Sequence, residues 1–322
     1  MSNLISKEMS ISFYKDMLLS RRLEERVGQL YVQQKFSGFC HLYIGQEAVA
    51  TGTLNALRKG EDYVITGYRD HTMPVTLGMD PGVMIAELLG KVTGSSRGKG
   101  GSMHMFSEKL RFLGGHGIVG GQVPLAVGAG WKIKYKKEDL VSVCFLGDAA
   151  INQGQFHEAL NMAAIWNLPC IFIVENNLYG MGTAISRTCT LKNLADRAKG
   201  YNMRQAIVDG HDVIKCYQQM SEIVAETRKT SAPIFVEAQT YRFRGHSVSD
   251  PGSYRTKEEV EKEKQRDPLV LLQKYLTKNH SSSEKDFEKW EDEIAEIIEK
   301  AVSFAEESPE PDINELFDHV LV

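Results

Sequence analysis

Two continuous apolar runs constrain this chain more than any other feature. VSVCFLG occupies 141–147 and PCIFIVE occupies 169–175, and neither alternates polar with apolar residues. A strand with one wet face would alternate. An unbroken run belongs to a strand buried on both faces, and such strands sit in parallel sheets covered by helices. Helical spacing fills 155–166 between them. Further on, 213–228 reads as a helix and IFVEAQTYR (234–242) as a strand. This alternation predicts an α/β fold, a doubly wound, mostly parallel sheet with flanking helices and right-handed crossovers.

The rest of the chain is organised around that unit. Residues 12–35 predict an N-terminal helix capped by Ser10 or Ser12, and 45–57 a second helix ahead of a short strand, YVITGY. The segment 94–121 holds glycine at nine of 28 positions, too many for a regular helix. Met, His, Phe and Leu are interleaved with those glycines, so it predicts a folded loop tied to a ligand or partner. RFRGHSVSDPGSYRTKEE, from 242, is polar and turn-rich and reads as an exposed loop. From about 256 to 322 the pattern is helical, with Phe287, Trp290, Ile294, Ile297, Ile298, Ala301 and Phe304 as one stripe. EEVEKEKQR (258–266) reads as a solvated helix face. No linker divides the chain, so 1–322 reads as a single domain.

Composition excludes some functions. The net charge of -4 offers no basic face for nucleic acid or membrane. No apolar run approaches the roughly 18 residues of a membrane span. Cys40, Cys144, Cys170, Cys189 and Cys216 lie at least 19 residues apart, so no C-x-x-C pair exists. Scattered, odd-numbered thiols suit a reducing compartment, and the expected location is a bacterial cytoplasm.

The chemistry concentrates where the strands end. In open parallel sheets, ligands bind beyond the carboxyl ends of the strands. Asp148 follows the first apolar run, and Asn177 follows the second, 29 residues later. That spacing is one strand–helix–strand unit, so the two side chains should meet. Taken singly, Asp148 reads as a helix cap and Asn176-Asn177 as a turn. Taken together with a nearby backbone carbonyl, they form an oxygen-only set suited to Mg2+ and a substrate phosphate. The helix starting near Asn152 would aim free N–H groups at that phosphate. RGKGGSMH lacks the P-loop spacing, and no G-x-G-x-x-G follows a strand.

At this point a resemblance becomes specific. GDAAINQGQFHEALNMAAIWNLPCIFIVENNLYGMG, from 147, resembles the thiamine diphosphate motif of the alpha subunits of 2-oxo acid dehydrogenases. The likeness runs from about 12 to 275. It includes FCHLYIGQEA (39–48), TGYRDH (66–71), RGKGGSMHMF (97–106), GGHGIVGGQVPLAVGAG (114–130) and YRFRGHSVSDPGSYR (241–255). The resemblance implies the thiamine diphosphate-binding fold, with thiamine diphosphate and Mg2+ as cofactors. It implies that Asp148, Asn177 and the Tyr179 carbonyl bind the metal. It places Tyr68 and Arg69 on the diphosphate, Ala149 and Ala150 beside it through backbone N–H groups, and Gly117, Val119 and Ser107 along the cofactor. His41 and His246 would approach the reacting carbon; His104 and His116 are left without a role, and His211, His280 and His319 read as packing or surface residues.

The implied reaction is decarboxylation of pyruvate, with the acetyl group passed to lipoyl groups of a partner acyltransferase. The implied assembly is an α2β2 heterotetramer in which the beta subunit supplies a glutamate to the cofactor. Two alternatives fit the same residues. One is an acetoin dehydrogenase alpha subunit, which shares the cofactor and the partner logic. The other, of a different class, is a non-catalytic alpha-like protein that only binds a partner. Ala149 stands where the family has a second glycine.

Overall fold

The computed structural model describes residues 5–318, so His319 lies outside the described residues. Along the chain, α1 (Lys7–Val32) and α2 (Glu47–Leu54) precede β1 (Tyr63–Ile65). Then come α3 (Thr72–Leu77), α4 (Pro81–Leu88) and α5 (Gln122–Lys136), followed by β2 (Ser142–Gly147), α6 (Gly154–Ile165) and β3 (Cys170–Asn176). A small hairpin, β4 (Tyr179–Gly180) with β5 (Thr183–Ala184), leads to β6 (Arg204–Asp209), α7 (Val213–Thr230) and β7 (Ile234–Gln239). Three helices close the chain: α8 (Lys257–Lys264), α9 (Pro268–His280) and α10 (Glu284–Glu307).

Five strands form one parallel sheet in the order β1-β2-β3-β7-β6. The apolar runs explain its layering. Val143, Phe145, Ile171, Ile173 and Val236 point to one face, with Val49 of α2 and Met220 of α7. Cys144, Leu146, Cys170, Phe172 and Val174 point to the other, with Val123 of α5 and Phe156 of α6. Each of these strand residues is at most 1% exposed. The sheet is therefore the middle of three layers, as unbroken apolar strands require. A separate cluster joins Phe13 and Met17 of α1, Leu272 and Leu276 of α9, and Trp290 and Ile294 of α10. All five cysteines are free. Among the described residues no helix is long and apolar enough to cross a membrane.

Several local expectations need correction. The cap of α1 is Ser6, whose hydroxyl accepts Met9 N; Ser10 lies inside the helix and its hydroxyl donates back to the Ser6 carbonyl. The buried stripe of α10 is Trp290, Ile294, Ile298, Ala301, Val302 and Ala305, whereas Ile297 and Phe304 are 40% and 44% exposed. Ile297 lies about 100° round the helix from Ile298, which takes it off the contact line. The loop after β7 is only partly exposed: Arg242 is 2% exposed and Tyr241 is buried, while Arg244, Ser249, Pro251 and Ser253 face solvent. The glycine-rich segment is folded as expected; its first part wraps the buried carboxylate of Glu87, and 116–120 line the cavity described below. Helices α3, α4 and α5 and the edge strand β6 go beyond the sequence patterns. Pro124, Gly128 and Gly130 mask the period of α5, and β6 fully buries only Val208.

Candidate active site

The carboxyl ends of β2, β3 and β7 open into a cavity of about 1010 Å³, at the upper end of small-molecule sites. Eleven of the twelve residues singled out above line it: His41, Tyr68, Arg69, Gly117, Val119, Asp148, Ala149, Ala150, Asn177, Tyr179 and His246. Ser107 does not. Its backbone pairs with Phe112 and its hydroxyl accepts Leu110 N, so it closes a turn away from the cavity.

Register brings Asp148 and Asn177 together. Gly147 pairs with Glu175 across β2 and β3, so the residues that follow leave the sheet side by side. Asp148 is 2% exposed. Its Oδ1 accepts the amide of the adjacent Ala149 at 2.8 Å, while Oδ2 has no partner. A helix cap would instead accept an amide two or three residues on. Leaving a buried carboxylate oxygen unmet costs about 1–3 kcal/mol or more. Burial accordingly pushes the Asp148 carboxyl up to about 6.

The two amides at 176 and 177 divide their work. Asn176 Nδ2 donates to Glu237 on β7, a structural bond. Asn177 Nδ2 donates to Gln46 Oε1 at 2.9 Å, which fixes the amide and leaves Oδ1 only a 3.4 Å contact from Tyr179 N. The Tyr179 carbonyl accepts Arg242 Nη1 at 3.3 Å. Ala149 N–H is committed to Asp148, contrary to the expectation that it is free, and α6 begins at Gly154 after a 3-10 turn.

Cations face these carboxylates without pairing with them. Arg69 donates to the carbonyls of Leu42 and His246, at 2.6 and 2.9 Å. Arg242 donates to the carbonyls of Tyr179, Met181 and Arg244 and to the Tyr254 hydroxyl. Among the described residues both guanidinia bond only neutral oxygens. Burial, with Arg242 nearby, pulls Arg69 down to about 10. Two buried cations lacking an anion favour a polyanionic ligand. The pattern of the sequence does not single out Arg242, although the strand-end rule that selects Asp148 applies equally to the exit of β7.

One wall is aromatic. The His41 ring lies 4.4 Å from Tyr68 and 4.9 Å from His246, centroid to centroid. Burial above all, then Arg69, pulls His41 down to about 2 and His246 to about 4, so both are neutral at pH 7. Nδ1 of each is buried without a partner. Glu175, also in the wall, accepts the Tyr43 hydroxyl, and burial pushes it up to about 7. Of the remaining histidines, His211 is packed against the Arg266 carbonyl and His280 contacts Ser10, while His104 and His116 join the cavity lining.

Asp70, beside Arg69, contributes to the pH dependence of this region. It is 0% exposed, Oδ1 has no partner, and Oδ2 receives only a 3.5 Å contact from Met105 N. Burial pushes its carboxyl from 3.8 to about 7. Between those values the folded chain holds a proton that the unfolded chain has lost, so this group's stability falls as pH rises through about 7. Asp70→Asn removes that loss. Its stability gain over the parent should be larger at pH 8 than at pH 4, by roughly 4 kcal/mol. Urea unfolding at the two pH values measures it, and equal gains at both would refute it.

The fold and the site together define a class: a parallel α/β protein with a ligand-sized cavity, lined by buried acids and guanidinia, at its strand ends. Comparison with known proteins narrows this. The sequence pattern of the dehydrogenase E1 component matches residues 15–314, and the chain belongs to that family. It is 46% identical over 315 residues to the pyruvate dehydrogenase E1 component subunit alpha of Rickettsia felis, covering 98% of this chain and 96% of that protein. It is 46% identical over 318 residues to the subunit of that name from Rhizobium meliloti, covering 98% and 91%. With the chloroplastic subunit alpha-3 of Arabidopsis thaliana it shares 42% over 325 residues, covering 99% and 76%.

Proposed function

We propose that this chain is the alpha subunit of a thiamine diphosphate-dependent pyruvate dehydrogenase, acting with a beta subunit and a lipoyl-bearing acyltransferase in a bacterial cytoplasm. The observation that carries the reading is Asp148 Oδ2, a buried carboxylate oxygen without a partner, placed beside Asn177 at adjacent strand ends. Asp148, Asn177 and the Tyr179 carbonyl would hold Mg2+, an oxygen donor set that fits a hard cation. The Tyr179 carbonyl would give up its 3.3 Å bond from Arg242 to do so. Arg69, Arg242 and Tyr68 would face the diphosphate. Bound thiamine diphosphate supplies the nucleophile and the electron sink for removing carbon dioxide from a 2-oxo acid.

The chain's own residues do the rest. His41 and His246, neutral and with unpartnered Nδ1 atoms, can hydrogen-bond and orient the reacting substrate. The Tyr68 ring packs against both imidazoles and restricts their rotation. Arg69 fixes the His246 backbone through its carbonyl, and Asp250 Oδ2 accepts the His246 amide at 2.6 Å. The relatives named for pyruvate favour that substrate over acetoin.

The half-site reading rests on the cavity's acids. They are Asp148, Glu175 and Asp250. Glu175 is engaged by Tyr43, and Asp250 by His246 N, Gly252 N and the Tyr254 hydroxyl. None is left to serve the far end of the cofactor, which a beta subunit would have to supply. Ile118 and Val119 on the cavity lip are 74% and 39% exposed, and Trp131 and Tyr135 of α5, stacked on each other, are also exposed. Exposed apolar side chains at the cavity lip are where a beta subunit would make contact. Reconstitution with the matching beta subunit should give pyruvate decarboxylation well above that of acetoin or 2-oxoisovalerate. The alpha chain by itself should turn over almost nothing; full activity from it would overturn the two-subunit reading, and preference for acetoin the substrate.

A further inference from the structure

We infer that His104, anchored through the glycine loop by Glu87, is a positioning residue for the Gly117–Gly120 wall of the cofactor cavity. The chain of contacts starts at Glu87, 0% exposed in α4. Its Oε2 accepts Ser96 N and Gly98 N at 2.7 and 2.9 Å, and its Oε1 accepts Gly100 N and Gly101 N at 2.7 and 3.1 Å. One buried anion thus collects four backbone donors and winds the loop around itself, the way a nest binds a phosphate. The loop tolerates no side chain at Gly98, which has φ +74 and whose Cβ would lie 2.3 Å from the Gly90 backbone.

This winding delivers His104. Its carbonyl accepts the Ser96 hydroxyl at 2.8 Å, so its backbone is held from the same loop. Its ring then bridges the glycine loop and the cavity wall. Nε2 lies 3.3 Å from Gly117 N, and Nδ1 lies 3.3 Å from the Gly100 carbonyl. An amide can only donate, so Nε2 must be bare. A carbonyl can only accept, so Nδ1 must carry the proton. One neutral tautomer satisfies both contacts, and each fixes the other. The ring also fills the space beside Gly117, where a Cβ would lie 3.3 Å from Cε1 and Nε2. Gly117, Ile118, Val119 and Gly120 all line the cavity, so the ring sets where that wall stands. Nothing in these contacts requires His104 to touch a reacting atom.

This inference rests on the proposed thiamine diphosphate reading. The test uses the assembled alpha–beta complex and calorimetric titration with thiamine diphosphate and Mg2+, alongside steady-state kinetics. His104→Ala should weaken cofactor binding about tenfold, with kcat at saturating cofactor within about twofold and the KM for pyruvate unchanged. His104→Gln, whose side-chain oxygen can accept Gly117 N, should recover most of the affinity. Unchanged binding in His104→Ala overturns the inference. A collapse of kcat in both variants with normal binding also overturns it, because it would make His104 a participant in the reaction. If the unaltered complex binds no thiamine diphosphate, the functional reading falls and this inference with it. Normal binding by the parent and by His104→Ala sinks the inference and leaves the functional reading standing.

Discussion

Asp148→Ala is expected to abolish Mg2+-dependent binding of thiamine diphosphate, a loss of at least about 100-fold, equivalent to about 3 kcal/mol. The same variant should melt no lower than the parent when cofactor is absent. The two halves of that expectation come from one fact. Asp148 Oδ2 is buried without a partner, and burial pushes the carboxyl up to about 6, so the group weakens the empty fold. A structural cap behaves in the opposite way, and its removal costs about 0.5–2 kcal/mol. Asp148→Asn keeps the shape and loses the charge; it should fail in binding nearly as badly. Calorimetric titration with and without Mg2+, paired with thermal melts of the cofactor-free protein, measures both halves. Tight binding by Asp148→Ala, or a clear drop in its melting temperature, would contradict the assignment.

The core of this fold was legible because buried parallel strands leave an unmistakable pattern. β2 and β3 are unbroken apolar runs, and their bounds fall within a residue of the expected ones. The 29-residue spacing from Asp148 to Asn177 then placed two polar groups at neighbouring strand ends. What stayed hidden was the orientation of groups that only tertiary packing decides. Arg242 and Arg244 are alike in sequence, yet one is 2% exposed and bonded to three carbonyls while the other faces solvent. Ser107 follows Phe106 in a motif carried by resemblance, but its pairing with Phe112 turns it from the cavity. Glu87 sits in an otherwise apolar helix, and nothing local shows that a loop some ten residues later will wrap round it. Strand β6 failed for a simpler reason, since an edge strand needs no continuous apolar face.

Gly180→Ala is expected to cost both stability and cofactor binding, and Ala149 determines it. Ala149 follows Asp148, and Gly180 follows Tyr179, so the two residues flank the expected metal site from opposite strand ends. A Cβ on Gly180 would lie 2.3 Å from the Ala149 Cβ, closer than real methyl groups approach. Gly180 lacks a positive φ, so alanine is not excluded by its backbone. The obstacle is one methyl on the facing residue. Relieving the contact must push the Asp148 turn and the Tyr179 hairpin apart, by way of the segments that hold two proposed ligands. Overpacking of this kind costs about 1–3 kcal/mol, and cofactor affinity should fall at least about tenfold with it. Ala149→Gly should leave affinity unchanged or slightly tighter, because the N–H that bonds Asp148 Oδ1 remains. The double variant, Ala149→Gly with Gly180→Ala, moves the methyl from one wall to the other and should recover both stability and binding. The coupling energy should therefore be large and compensating, about 1–3 kcal/mol. Additive losses in the double-mutant cycle would show that the two strand ends do not share this space. Recovery would show that the glycine at 180 accommodates the alanine at 149.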